Sequence, residues 1–312
     1  MSDKGKQKKN KRLAISLGIV SLLGSQVAGS IAPAFAQTAP LSHEALSQEA
    51  QQTPLAPKDI LLGSQQINAI FPDARLAAAV AYRLQKVPTD FVTQTDLNNI
   101  TTLQPTSGAP IEGINSLEGI QFLTRMTTFG ITNGNLSDVN SLVPLEGLAT
   151  SSLTSLNLGS ARITDITSLA KLTQLRNLSL VTNRIVNIEA IGALKELRSL
   201  NLTSNRIVDL SPLQNLPSDV LTDLTLSENT GLGAGTTVNA ALSHFTALTR
   251  LTLANAGISS LAPVAAMNSL TYLSVGRNQI DDAGLQAGNL SAKTNLTTLY
   301  LRNNMITEAG LA

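Results

Sequence analysis

The 312-residue chain has no cysteine and no tryptophan, and aromatic residues make up only 3% of it. Without cysteine there can be no disulfide framework, no thiolate metal site and no cysteine nucleophile. With so few aromatic rings, a core built from large interlocking side chains is excluded, yet 43% of the residues are hydrophobic. The core must therefore be made of aliphatic layers. Histidine is nearly missing as well: His43 and His244 are the two in the chain. No H-E-x-x-H, glycine-rich phosphate loop or paired-carboxylate arrangement appears, and Asp281-Asp282 is too short for a calcium loop. The sequence thus points away from an enzyme, and no metal or cofactor is expected. An excess of charge of one sign is also lacking. There are 22 basic and 21 acidic residues, of which the first 36 positions hold 6 and 1; the remaining 16 and 20 leave a net charge of −4. That balance gives nucleic-acid binding no electrostatic support.

What is present is repetition. Eight copies of one pattern start at Met126, Leu153, Leu175, Leu197, Leu221, Leu248, Leu270 and Leu296, at steps of 27, 22, 22, 24, 27, 22 and 26 residues. Each copy has aliphatic or aromatic residues at 0, +3 and +5, and most have an asparagine at +8. A period of 20–29 residues with the form L-x-x-L-x-L-x-x-N defines a leucine-rich-repeat solenoid, an α/β fold with a curved parallel sheet on its concave face. Alternation in the strand sends Leu178 and Leu180 inward and Asn177, Ser179 and Val181 outward. In the copy starting at Leu175 the inward set also includes Ile185, Ile188, Ile191 and Leu194. One coil alone buries too little to offset its ordering entropy, so it needs neighbours on both sides.

The asparagines Asn183, Asn205, Asn229, Asn278 and Asn304 occupy +8, where the chain turns out of the strand. An inward asparagine carries two donors and an acceptor, the inventory needed to satisfy backbone groups that lose their ladder partners. They read as a structural ladder, expected to break at Gly134, Ala161 and Ala256.

The N-terminus carries a different signal. Lys4, Lys6, Lys8, Lys9, Lys11 and Arg12 precede the apolar stretch 13–23, and Ala34-Phe35-Ala36 supplies a cleavage site, so residues 1–36 read as a secretory signal peptide. The apolar run is short for a membrane span, and no other segment is long enough for one. Secretion without cysteine fits a Gram-positive bacterium. Residues 37–63 are a Gln/Ala/Pro/Ser-rich flexible spacer. Residues 64–100 form a helical cap: INAIFPDARLAAAVAYRL has helical spacing after an Asp73 N-cap, and in VTQTDLNNITTLQ either Thr95 or Asp96 can start a second helix. Residues 101–312 form the solenoid of about eight repeats, the last incomplete.

The cap INAIFPDARLAAAVAYRL, the join VTQTDLNNITTL with IEGINSLEGIQFL, and repeats of the form L-x-x-L-x-L-x-x-N-x-I-x-D-I-x-x-L resemble, in that order, the internalins of Listeria and related Gram-positive bacteria. The resemblance spans roughly Ile67 to Leu213. It implies a secreted or wall-associated adhesion protein whose concave strand face binds a protein ligand, in some members a host receptor. After Leu213 the copies lengthen, and Asp281–Leu285 and Thr307–Leu311 read as convex-side helices. The chain ends in mid-repeat without the family's immunoglobulin-like cap or wall-sorting signal, so the expectation is a fragment of a longer protein. An alternative reading makes it the targeting module of a larger cell-wall enzyme; another makes it a scaffold in the producer's envelope.

Outward positions are +2, +4 and +6, with +7 at the rim. In the first four copies they are small and polar, as at Ser155, Asn157, Ser179 and Ser199. In the later copies Asp223, Arg250 and Tyr272 share the +2 row, Tyr300 lies at +4, Arg302 at +6, and Glu228 and Arg277 at +7. Tyrosine and arginine dominate protein interfaces, so these seven are the candidate partner-binding residues, set against an ordinary solvated face. A second stripe, Arg162, Arg184 and Arg206 at +9, is expected to pair with Asp165, Asn187 and Asp209.

Overall fold

In the computed structural model, residues 61, 63–105, 111–234 and 238–311 are described. The leader expected at 1–36 lies outside them, as does nearly all of the spacer expected at 37–63. Nine short strands follow one another in a single all-parallel sheet, each paired with the next in chain order, from Thr102–Leu103 to Thr298–Tyr300. Eight are the strands of the eight repeats, and their pairing keeps every copy in register: Leu178 faces Leu200, Leu224 faces Leu251, and Leu273 faces Leu299. The ninth, Thr102–Leu103, pairs with Thr128–Phe129 at the N-terminal edge, inside the stretch read as a join. Leu175 and the six inward side chains named with it are all buried. In the last described coil Leu299 is 39% exposed.

The chain returns through short 3-10 helices such as Thr167–Lys171, Glu189–Ala193 and Ser211–Asn215. Where the repeats lengthen, true α-helices appear at Val238–Ser243, Asp282–Gln286 and Glu308–Leu311. The Asp281 carboxylate caps the second of these by accepting from the Gly284 amide at 2.7 Å. Asp282 ties that coil to the next, accepting from the Thr307 amide at 2.8 Å and the Thr307 hydroxyl at 2.6 Å. These two bonds hold its carboxyl below the usual range.

The cap is the helix Ala74–Leu84, with Asp73 as its N-cap, followed by Gln94–Leu97. The second helix starts ahead of both expected residues, two positions before Thr95 and three before Asp96. Thr93 is its N-cap, and Asp96 sits at the third helical position, where its side chain accepts from the Thr93 amide at 2.7 Å. This reciprocal capping box explains why Asp96 reads as a start residue without being one.

A conformational feature is repeated at every turn out of the sheet. The +7 residue is left-handed in all eight copies: Asn133, Ser160, Thr182, Ser204, Glu228, Asn255, Arg277 and Asn303. In six consecutive coils the +7 amide still donates to the +6 carbonyl of the next coil, as from Thr182 to Thr203 at 2.9 Å and from Arg277 to Arg302 at 2.8 Å. The left-handed step then turns the chain so that +8 points inward. For a branched residue this conformation is costly, whereas asparagine tolerates it. Thr182→Asn, at an exposed site with φ 56°, is therefore expected to raise stability by about 0.5–1 kcal/mol. A lowered denaturation midpoint would contradict the strain assigned to that step.

The asparagines at +8 bond backbone groups of adjacent coils. The Asn183 amide donates to the Leu158 and Leu180 carbonyls at 2.8 and 2.9 Å, and its oxygen accepts from the Ala161 and Ile163 amides at 3.1 and 3.0 Å. Asn229 is fully buried and Asn278 half-buried, with the same carbonyl pairs.

Candidate binding face

Because the strands are parallel and in register, residues at the same repeat position form rows across the outward face of the sheet. In the +2 row Ser199, Asp223, Arg250, Tyr272 and Thr298 are successive neighbours. Arg250 Nε lies 3.9 Å from Asp223 Oδ2, and its guanidinium carbon lies 3.7 Å from the centroid of the Tyr272 ring. That ring in turn sits 5.8 Å from the Tyr300 ring, tilted by 54°. Four side chains from four consecutive coils thus form one line. With both partners near 40% exposed, the Arg250–Asp223 pair contributes under ~1 kcal/mol. The cation–ring contact adds on the order of 0.5–1 kcal/mol. Burial pushes the Asp223 carboxyl upward, while Arg250 and the Thr225 hydroxyl oppose it.

Beside the tyrosines lies a depression of about 290 Å³. Tyr272 and Tyr300 form one wall, Arg277, Arg302 and Glu228 the other, and Ala254, Ser274 and Gly276 the floor. Glu228 is held by the amide of Asn255. Arg277 and Arg302 are exposed, and among the described residues no carboxylate lies within ion-pair distance of either. Of the seven residues singled out in the sequence, five line the depression, and Asp223 and Arg250 extend its tyrosine wall. The floor was missed. Its signal is a run of small residues in the outward rows: a Cβ on Gly276 would come within 3.1 Å of the Arg302 carbonyl oxygen and 3.3 Å of its Cγ. Thr252, one outward position from Ala254 and paired laterally with Ser274, is 8% exposed, and its hydroxyl has no hydrogen-bond partner.

The N-terminal half of the same face is chemically quieter. Outward Asn157 and Asn201 turn onto their own strands, accepting from the amides of Gly159 and Thr203 at 3.1 and 3.0 Å. The arginine stripe is exposed, and the side chains expected to pair with it are bonded to their own return turns. Asp165 accepts from the Thr167 amide and hydroxyl at 2.9 and 2.6 Å, which holds its carboxyl below the usual range. Asn187 and Asp209 accept in the same way from the amides of Glu189 and Ser211, both at 2.8 Å. These side chains start the return turns, a use that favours Asp and Asn two residues ahead of the bonded amide. His244 is structural too: its Nε2 lies 2.8 Å from the Leu216 carbonyl, and its ring meets Phe245 edge-on. Among the described residues no group of three or more His, Asp or Glu could hold a metal, and no helix is long and apolar enough to cross a membrane.

A family model for the N-terminal region of bacterial adhesion/invasion proteins, the internalin N-terminus, matches residues 51–98, and a leucine-rich-repeat model matches 266–287. The crystal structure of internalin C2 from Listeria monocytogenes is similar to this chain at 28% identity and a TM-score of 0.58, covering 81% of this chain and 95% of that one. This is an internalin-like leucine-rich-repeat protein. A leucine-rich-repeat protein of Leptospira interrogans, 20% identical with a TM-score of 0.52 over 69% of this chain and 52% of its own, shares the fold. In this internalin-like chain, the matched cap helices lie at the end of the sheet opposite the tyrosine–arginine face. The cap closes the N-terminal edge, and the candidate face occupies the last four coils.

Proposed function

We propose that this chain is a secreted or surface-associated bacterial protein that binds another protein through the outward sheet face of its last four coils. The observation that carries the reading is the continuous line Asp223–Arg250–Tyr272–Tyr300 beside a depression walled by Arg277 and Arg302. Rigid aromatic and arginine side chains on a regular sheet present much contact area at little entropic cost, the composition found at interface hot spots. Export is supported by the basic-apolar-AFA leader at 1–36, and adhesion by the description of the matching N-terminal family model.

The test uses the full chain to capture partners from host-cell extracts and, separately, from the producer's envelope, which also decides between a host ligand and an envelope scaffold. Tyr272→Ala and Tyr300→Ala are each expected to weaken capture roughly tenfold with little change in thermal stability. Ser155→Ala and Ser199→Ala on the quiet half should leave it unchanged. Undiminished binding by the Tyr272/Tyr300 double variant, with loss on changing return-side residues, would move the site off this face.

A further inference from the structure

From the depression we infer that the partner is anchored by a carboxylate, an aspartate or glutamate side chain of a protein, seated between Arg277 and Arg302 with its neighbouring apolar atoms against Tyr272 and Tyr300. The inference rests on the binding reading above and names the chemistry of its central contact. Three observations carry it. The first is that the cations on this face are not equivalent. Arg250 is already engaged, by Asp223 on one side and by the Tyr272 ring on the other. Arg277 and Arg302 have neither, and both line the same depression. Two free guanidinium groups in adjacent coils repel each other unless an anion sits between them, and a guanidinium fork matches a carboxylate in bidentate fashion.

The second observation is the charge count. The walls hold Arg277, Arg302 and Glu228, a net of +1. Glu228 is turned onto the Asn255 amide rather than onto an arginine, so it leaves the two cations free while keeping the site from becoming doubly positive. A monoanion matches that balance; a phosphate dianion would meet the Glu228 carboxylate without full compensation. The third is shape. The small residues Ala254, Ser274 and Gly276 leave space among the larger side chains, and about 290 Å³ accommodates a single side chain with its flanking atoms.

The experiment probes the full chain against an array of twelve-residue peptides that carry a central Leu-Glu-Leu, Leu-Gln-Leu or Leu-phosphoserine-Leu. Wild type should retain the glutamate peptide about tenfold better than the glutamine one. Arg277→Gln/Arg302→Gln should abolish that preference, while Tyr272→Ala/Tyr300→Ala should lower retention of both peptides and keep the preference. Stronger retention of the phosphoserine peptide would overturn the inference, as would the absence of any Glu/Gln preference, whether both peptides bind or neither does. Captured protein lost on changing the tyrosines, but with no Glu/Gln preference on the array, would leave the binding face standing and remove only the carboxylate anchor.

Discussion

Replacing Asn205 with alanine should lower the stability of the repeat array by about 3 kcal/mol. The Asn205 amide donates to the carbonyls of Leu180 and Leu202 at 2.9 and 3.0 Å, and its oxygen accepts from the Ile185 amide at 3.1 Å. Those three backbone groups belong to two coils and are closed off by a side chain only 7% exposed. Truncation leaves them buried without partners, at ~1–3 kcal/mol for each group that cannot recover one. The natural alanines Ala161 and Ala256 show why the array tolerates their absence elsewhere. Each follows one of the two 27-residue coils, and the longer backbone itself supplies a donor to the alanine carbonyl: Leu136 to Ala161 at 2.8 Å and Gly233 to Ala256 at 3.0 Å. The 22-residue coil ahead of Asn205 is short by that much chain. Ser179→Ala, on the outward face, should change stability by less than ~0.5 kcal/mol. Equal shifts of the denaturation midpoint for the two variants would show that the ladder bonds do not carry the load assigned to them.

The same ladder explains how much of the fold is legible in the sequence. Inward and outward rows follow from a period of two, and the apolar residues at 0, +3 and +5, with the +8 asparagine in five of the eight copies, fix the phase, so the rows holding Asp223, Arg250 and Tyr272 can be aligned by counting. The expected cap helix and its Asp73 start are present for an equally local reason. The ninth strand is not legible. Thr102–Leu103 shares its inward residues Ile100 and Leu103 with the pattern, but Pro105 stands where the third aliphatic should be and no asparagine follows. What makes it a strand is the edge of Thr128–Phe129 waiting to be paired, a tertiary cause. The left-handed turn at +7 is hidden because none of its eight residues is glycine; in six consecutive coils it is accompanied by a hydrogen bond to the next coil, which no single residue type announces. At the candidate face the walls are visible and the floor is not. Large side chains announce themselves in a sequence, whereas Ala254, Ser274 and Gly276 matter for the space they leave. At Asp165 and Asn187 the local bond is not foreseen for a related reason. Proximity in the repeat suggests ion pairs, but a backbone amide two residues away competes better for a short acidic side chain than a flexible arginine does.

Asp73→Ala is expected to cost a further kind of stability, about 3 kcal/mol, by separating the cap from the first coil. Asp73 Oδ1 accepts from the amides of Arg75 and Leu76, both at 3.0 Å, which caps the helix Ala74–Leu84. Its other oxygen accepts from the amides of Asn115 and Ser116 at 2.8 and 3.3 Å, more than forty positions along the chain. One carboxylate therefore starts the cap helix and fastens it to the solenoid. The Arg75 guanidinium adds a second tie, donating to the Gly113 carbonyl. Loss of a plain N-cap costs about 1 kcal/mol; the remainder comes from two loop amides that lose a charged acceptor. The cap covers the N-terminal edge of the sheet, and an array whose end is uncovered frays from that end. Hydrogen exchange in Asp73→Ala should accordingly speed up first at Asn115, Ser116 and the Thr102–Leu103 strand, while the coils around Leu200 remain protected. A loss of only about 1 kcal/mol, with exchange at Asn115 and Ser116 unchanged, would mean that Asp73 merely caps its own helix and that the apolar contacts beneath it hold the cap in place.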